Sequence, residues 1–165
     1  MAEDFEALDA LLKASIDSAG AYLRSSFEMP SHSLSARELV SRLDGLRTVA
    51  FCTMTKGNEP RVAPVSAFFY RARFYVPSVA TSARARQLTR NPASSLTCFS
   101  DDWALISHGS TSVIAPTDAQ FSKLSQLVQQ VGSFDVLDWG EGVFLRFDAD
   151  VMFTWTRHVE EAAVD

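Results

Sequence analysis

The stretch from Tyr70 to Phe99 (YRARFYVPSVATSARARQLTRNPASSLTCF) places the tightest constraint on how this chain can fold. The aromatic and β-branched residues 74–76 favour a β-strand, and the Pro-Ser pair at 77–78 is expected to end that strand. A helix should follow and end near Arg90, because Pro92 disfavours helical backbone at the residue before it. A further strand then runs to Phe99. The stretch therefore predicts a strand, a short basic helix and a second strand in close succession.

The start of that helix is a candidate anion site. Thr81 or Ser82 can cap the helix, and Arg84 lies in its first turn. A helix N-terminus exposes backbone N–H groups and a positive dipole potential, both of which attract anions. The planar guanidinium of Arg84 can also pair with two phosphate oxygens at once. The sequence therefore predicts a phosphate pocket at the end of a strand.

The distribution of charge supports a local anion site. The chain has a formal net charge of −5, yet residues 61–100 contain six arginines and no acid. Residues 101–165 contain eleven acids. Domains that bind nucleic acid are usually basic throughout, so no nucleic-acid partner is expected. The alternative interpretation of the basic stretch is a solvated arginine-rich edge without a ligand.

Several absences narrow the class of protein. No apolar run approaches the ~20 residues that span a bilayer, and the acidic start MAEDFEALD lacks a leader pattern, so we expect a cytoplasmic protein without membrane contact. Three histidines and two cysteines form no metal-ligand or disulfide pattern, so no metal is expected. Cys52 and Cys98 are interpreted as buried thiols. No nucleotide-binding or hydrolase motif is present, and the catalytic residues stay unknown.

The remaining patterns are mostly those of β-strands. An amphipathic helix is predicted over 5–23 and a second helix from the Ser35–Glu38 capping box, with a linker between them in which His32 is expected to be exposed and without a role. A third helix should run from Pro116 to Gly132. Strands are predicted over 48–55, 61–70, 94–99, 103–115, 143–147 and 151–155. Six to seven strands with peripheral helices indicate a mainly β (α+β) fold, an antiparallel barrel or sandwich.

Two residues indicate irregular strands. Pro64 lies inside the strand 61–70 but has no backbone N–H to donate, so a bulge or an unpaired edge is expected there. Gly109 should bend the strand 103–115. Both features would open or deform a sheet at a defined position.

The order of these elements resembles a known family. A hairpin with Arg61 near the start of its second strand is followed by FYVPS and then by TSARARQLTRNPASSLTCF. This order is similar to the FMN-binding split barrel of the pyridoxamine-5′-phosphate-oxidase-like superfamily, which also includes deazaflavin-dependent reductases. The similarity covers roughly Leu46 to Ala115. It implies one domain over 1–165, with a helical segment 1–46, barrel strands and phosphate-binding helix in 47–115, and closing elements in 116–165.

The resemblance also implies a cofactor site and a partner. FMN would lie at a homodimer interface, and its phosphate would contact Arg61, Ser82 and Arg84. Tyr75 and Val76 would lie along the ribityl chain and ring, Gln87 would support the pocket, and Val62 and Ala63 would offer backbone groups to the ring edge. The implied activity is an oxidoreductase acting on an unknown small molecule. The alternatives are a coenzyme F-420-dependent reductase and a flavin- or haem-binding dimer without turnover.

Two further expectations follow from this interpretation. The apolar N-terminal helix and the aromatic residues Phe68, Phe69 and Phe74 are expected to provide more hydrophobic surface than one barrel covers, which favours a dimer. The C-terminal segment VMFTWTRHVEEAAVD lacks the Arg-Leu-His-type segment that closes the vitamin substrate site in the oxidases. Vitamin B6 oxidase activity is therefore not implied.

Overall fold

The strands set the architecture, and the helices lie around them. A computed structural model describes residues 2–158. The strands are β1 Leu46–Met54, β2 Pro60–Tyr70, β3 Arg73–Val79, β4 Ala93–Phe99, β5 Trp103–Ile114 and β6 Gly142–Thr156. The helices are α1 Ala2–Ser18, α2 Ala21–Ser26, α3 Ala36–Arg42, α4 Ala83–Arg90 and α5 Phe121–Gly132, followed by a 3₁₀ turn over Val136–Trp139.

The six strands close into an antiparallel barrel in the order β1-β2-β3-β6-β5-β4. The predicted α+β barrel class is confirmed. The two strands predicted over 143–147 and 151–155 are one continuous strand, β6, so the barrel has six strands. Strand β6 pairs with β3 through its first half and with β5 along nearly its whole length. Residues 148–150, which separated the two predicted strands, lie within β6.

Alternation along the strands builds the barrel interior. On β1, Val49 and Phe51 are buried, and the intervening Ala50 is only half-buried. Phe51 meets Phe147 of β6 edge to face, with ring centroids 6.4 Å apart. Helix α1 is attached to the same core, because the backbone N–H of Met152 donates to Ser15 Oγ at 2.8 Å.

A second apolar cluster lies outside the barrel, beneath α5. The Phe68 ring stacks on Tyr75 at 5.4 Å, and Phe121 of α5 contacts Phe144 at 5.2 Å. Phe68 is 4% exposed and Phe74 is 1% exposed. Phe69 is half-buried and packs against the main core. The expectation that these rings provide surplus surface for a dimer was therefore wrong, since the fold itself covers them.

The predicted strand irregularities have different outcomes. Pro64 pairs in register with Ala50 of β1 and has no strand partner on its other side, so the expected unpaired edge is confirmed without a bulge. The bend at Gly109 is confirmed as a register shift between β5 and β6. A side chain at Gly109 would collide with the Asp148 carbonyl, which explains the glycine. The predicted strand end at Pro77 was wrong, because Pro77 pairs with Phe144 and β3 continues to Val79.

The local sequence patterns predicted some helix ends correctly and others incorrectly. The capping box of Ser35 and Glu38 is confirmed. The N-terminal helix breaks at Gly20 instead of continuing to residue 23, and α5 begins at Phe121 instead of Pro116. His32 is half-buried rather than exposed: its Nδ1 lies 2.7 Å from the Thr156 carbonyl, so the linker is held against β6.

The described part of the chain has neither a membrane-spanning helix nor a cluster of metal-ligating side chains. None of its helices is long and apolar enough to cross a membrane. Within residues 2–158, no group of three or more His, Cys, Asp or Glu side chains is arranged to hold a metal ion.

Candidate cofactor site

Strands β2 and β3 separate over most of their length. Their ladder consists of Phe68 with Tyr75, Phe69 with Phe74 and Tyr70 with Arg73. Beyond these pairs, β2 from Pro60 to Ala67 has β1 as its strand partner on one side only. The edge of β3 over residues 76–79 likewise has a strand partner only in β6. We call the space between these two free edges the split.

Helix α4 begins at the open end of the split. It follows β3 directly, and Ser82 is its N-cap, with Ser82 Oγ accepting the Ala85 N–H at 3.0 Å. Ser82 Oγ also lies 3.2 Å from Ser78 Oγ, which fixes the cap against the end of β3. The next backbone N–H groups have no acceptor within the helix. The predicted capped helix start is therefore present, with Ser82 rather than Thr81 as the cap.

Arg84 is the most unusual charged residue of this region. It is half-buried, and burial lowers the pKa of its guanidinium. Across residues 2–158, no hydrogen bond or ion pair is formed by its side chain. No acid lies within α4. Because an arginine stays charged, a desolvated guanidinium of this kind is stabilised by any anion that reaches it.

Thr53 of β1 connects Arg61 on β2 with Gln87 on α4. Arg61 is directly opposite Thr53 in the β1–β2 ladder, so their side chains share one face. Thr53 Oγ1 donates to Gln87 Oε1 at 2.7 Å. Gln87 is one helical turn beyond Arg84, so both residues lie on neighbouring positions of the same helix side. The structure thus brings the three predicted phosphate contacts (Arg61, Ser82 and Arg84) and the predicted supporting residue Gln87 to one end of the barrel.

The Arg61 side chain is engaged in an exposed ion pair. Its Nη2 lies 2.6 Å from Glu59 Oε2, and its Nη1 donates to the Pro60 carbonyl. Exposed pairs of this kind contribute little stability, so a phosphate can replace the carboxylate at small cost. Because Arg61 already has a carboxylate partner and Arg84 has none in residues 2–158, Arg61 is a weaker candidate than Arg84 for the first phosphate contact.

Val62 and Ala63 lie on the free edge of β2. The Val62 side chain points outward and is 69% exposed, whereas Ala63 faces inward opposite Phe51. Their backbone is available because β2 has no neighbour in the split at this point. The arrangement agrees with the predicted role of backbone groups at a ring edge, which stays a prediction.

Tyr75 and Val76 are not brought to the split by their side chains. Val76 is 1% exposed and belongs to the barrel interior. Tyr75 points to the opposite face, beneath α5, near the β2–β3 turn. Successive residues of a strand point to opposite faces, so the two side chains cannot line one ligand together. Only the backbone of Val76 borders the split.

Sequence reasoning missed two residues of this region, Thr53 and Ser78. Thr53 is buried inside β1 and orients Gln87, and Ser78 supports the Ser82 cap. Thr53 was detectable as a polar residue at an inward position of an alternating strand. Ser78 was misread because the pair at 77–78 was taken as the end of β3.

An apolar surface adjoins the split on the outside of the barrel. Its outward-pointing apolar and small residues come from neighbouring strands: Ala50, Cys52, Val62, Thr97 and Ile106. We call this surface the outer face. Phe99, which is 68% exposed, lies at the end of β4 beside it. In a single chain Val62 and Phe99 are exposed, and the other residues of the outer face are half-buried.

Known structures share this strand arrangement, although sequence comparison finds no relative. No protein-family model and no curated protein sequence matches the chain. A conserved hypothetical protein from Mycobacterium tuberculosis matches with a TM-score of 0.67 at 14% identity, over 82% of this chain and 96% of that chain. A FAD-binding protein from Mesorhizobium loti gives 0.58 at 18% identity, over 74% and 93%. A proposed pyridoxamine 5′-phosphate oxidase from Listeria innocua gives 0.57 at 13% identity, over 70% and 94%.

The same fold occurs in proteins described by other ligands. An F420 reductase matches with a TM-score of 0.54 at 16% identity, over 68% of this chain and 93% of that chain. The haem-storage protein HutZ from Vibrio cholerae gives 0.59 at 15% identity, over 72% and 91%. Identities this low establish the fold alone. The chain shares a split-barrel fold with these structures, and this is the fold that the sequence resemblance predicted.

Proposed function

We propose that this protein is a homodimeric FMN-binding oxidoreductase acting on a small molecule. The observation that carries the proposal is Arg84: a half-buried guanidinium without a partner in residues 2–158, at the N-terminus of a helix that begins beside an open split. Among the solved structures with this fold are proteins described as FAD-binding and as an F420 reductase. Cytoplasmic residence, expected from the sequence, belongs to the proposal.

The phosphate of FMN matches the groups at the start of α4. A phosphate monoester carries close to two negative charges, and Arg84 together with the free N–H groups of the first turn provides complementary donors. Ser82 and Arg61 complete the set, and Gln87 holds its position through Thr53. These residues fit the cofactor because each one donates a hydrogen bond or carries positive charge.

The ring of FMN would extend from this point along the split. The free edges of β2 and β3 offer backbone groups at Val62, Ala63 and Val76, and the outer face supplies an apolar wall. The bound flavin supplies hydride- and electron-transfer chemistry, so the chain needs only to bind and orient it. We assign no catalytic side chain and no substrate identity.

Dimerisation is part of the proposal, with a basis that differs from the sequence argument. The outer face leaves Val62 and the neighbouring Phe99 more than two-thirds exposed. A second copy of the chain covering this face would also close the split from outside. A stable homodimer of this type buries on the order of 2,000 Å² or more.

Native mass spectrometry of the purified full-length protein tests cofactor and assembly together. We expect two chains with one FMN each, and a visible spectrum with flavin bands. A monomer at micromolar concentration contradicts the shared site. A haem Soret band, or a reconstituted protein that binds no flavin, contradicts the cofactor.

Coenzyme F-420 is the second candidate, and a specific observation favours it. Lys56 and Arg90 line a polar pocket with Gln87 beside the end of the split, which extends positive charge beyond Arg84. Asp4 of the acidic N-terminal segment lies beside the β2–β3 turn, at the far end of these strands from Lys56.

Parallel titrations of cofactor-free protein separate the two cofactors. FMN stays the first proposal because Arg84 and the helix start suffice for one phosphate, whereas the tail requires exposed cations as well. We expect tighter binding of FMN with modest salt dependence. Tighter binding of F-420, with affinity that falls steeply as salt rises, reverses the order.

A further inference from the structure

A second basic pocket lies at the other end of β2 and β3, around their connecting turn. It has a volume of about 440 Å³ and is lined by Tyr70, Arg71, Arg73, Tyr75, Lys123 and Arg146, with Gln120 and Leu124 at its edge. We call it the hairpin pocket. Four of its lining residues are cationic, and its polar groups are predominantly hydrogen-bond donors. Such a lining favours a ligand with several acceptor oxygens and negative charge.

Asp148 holds two of these arginines in place. Its Oδ1 accepts from Arg73 Nε at 2.5 Å, and its Oδ2 accepts from Arg146 Nε at 2.8 Å. Because both contacts use Nε, Arg146 keeps both terminal nitrogens, and Arg73 keeps its Nη2, without an acceptor in residues 2–158. The carboxylate thus orients the two guanidinium groups while leaving donors directed to other partners.

Tyr75 supplies a hydroxyl donor to the same pocket. The residue is 4% exposed, and its hydroxyl forms no hydrogen bond with any group in residues 2–158. Burial raises the pKa of this hydroxyl, against the opposing effect of Arg73 and Arg146, so the phenol stays protonated. The hydroxyl is not among the buried side-chain atoms that lack a partner, so it opens into the pocket, where it can donate to a ligand acceptor.

Helix α5 begins at the rim of the pocket without a side-chain cap. Its Gln120 N-cap makes no capping hydrogen bond, and no acid lies in its first turn. The free N–H groups of this twelve-residue helix and the ammonium of Lys123 therefore add to the positive potential. Helix α4, by contrast, has its cap supplied by Ser82.

We propose that the hairpin pocket binds the phosphate group of a small phosphorylated metabolite. Two oriented guanidinium groups, the Tyr75 hydroxyl and an uncapped helix start can satisfy the oxygens of one phosphate. A pocket of about 440 Å³ leaves room for a small organic group beyond it. The site is distinct from the split: Tyr75 lies four residues from the end of β3 at Val79, roughly 13 Å along the strand, and the turn lies farther away.

Calorimetric titration of inorganic phosphate tests this assignment on the full-length chain. The Arg84→Ala variant is the background, so that the split contributes little. Three substitutions are compared within it: Arg146→Gln removes an oriented guanidinium, Tyr75→Phe removes only the hydroxyl, and Lys123→Gln removes an exposed charge. Arg37→Gln, on the exposed face of α3, is the matched control for charge.

We expect one phosphate per chain in the background variant. Arg146→Gln should raise the dissociation constant about tenfold or more, Tyr75→Phe and Lys123→Gln several-fold, and Arg37→Gln should leave it unchanged. The proposal fails if the background variant binds no phosphate, or if Lys123→Gln, which alters only a surface charge, binds as tightly as Arg37→Gln. Because phosphate alone is the probe, the outcome does not depend on whether the split holds FMN.

Discussion

The two basic sites lie at opposite ends of the β2–β3 pair and are built in opposite ways. At the split, the pairing between the strands is absent, and the charged group, Arg84, has no partner in the described chain. At the turn, the strands are paired, and Asp148 neutralises part of the charge of Arg73 and Arg146. One end therefore offers open backbone and one desolvated cation, and the other offers an oriented cluster of cations.

This difference indicates different ligands. An open edge suits an extended planar group that can reach backbone N–H and C=O groups, with one anionic end at α4. A closed pocket lined by donors suits a compact anion, which needs several hydrogen bonds from fixed directions. The same strand pair can serve both purposes because its ladder is short, which separates the two environments.

The largest expected effect comes from the shared scaffold. Phe147 is 1% exposed and contacts Phe51 across the barrel, between the two ends. Phe147→Ala should lower the free energy of unfolding by ~3–5 kcal/mol, because it leaves a cavity in the core. Urea denaturation measures the loss, with Tyr22→Ala, at an 86% exposed position, as the control. If Phe147→Ala lowered the free energy of unfolding less than Tyr22→Ala, the two ends of the β2–β3 pair would not depend on the contact between Phe51 and Phe147.

The second prediction tests the phosphate contact at the split. Arg84→Ala should weaken FMN binding by ~1.5–3 kcal/mol, roughly ten- to hundredfold, because the phosphate loses a charged hydrogen-bond donor. Arg90→Ala removes a charge six residues farther along the same helix and should change FMN affinity little. Flavin fluorescence titrations compare the variants. Equal losses from both would show that only the overall charge of α4 matters.

A smaller effect tests the difference in capping. Ser82→Ala removes the side chain that accepts the Ala85 N–H and should destabilise the protein by about 1 kcal/mol. Ser122→Ala, in the first turn of the uncapped α5, should have almost no effect. Thermal unfolding measures both. A larger effect at Ser122 than at Ser82 would reverse the assignment of capped and uncapped helix starts.

The smallest effect concerns acid stability at a point away from both sites. A hydrogen bond from Ser100 and the contact with Arg42 hold the pKa of Asp102 at about 2. The folded pKa is below that of an unfolded aspartate, so this contribution is present above pH ~4 and is lost as the pH falls towards ~2. Asp102→Asn should flatten that part of the stability profile measured by denaturation. An unchanged slope between these pH values would exclude a role for Asp102.

Much of the split end was readable from the sequence because its parts are local. The helix of residues 83–90, its Ser82 cap and its end before Pro92 follow from short-range rules on caps and proline. The antiparallel barrel class followed from the density of strand patterns. These features depend on neighbours a few residues apart, so a single sequence determines them.

The hairpin pocket and the true length of the strands were decided only by tertiary structure. Arg73 and Asp148 are 75 positions apart and meet because β3 pairs with β6, and nothing in the sequence states that pairing. The same pairing extends β3 past Pro77 to Val79, and it places Tyr75 and Val76 on opposite faces. Local propensity identifies strands, but long-range packing selects their partners and therefore which charged side chains form a site.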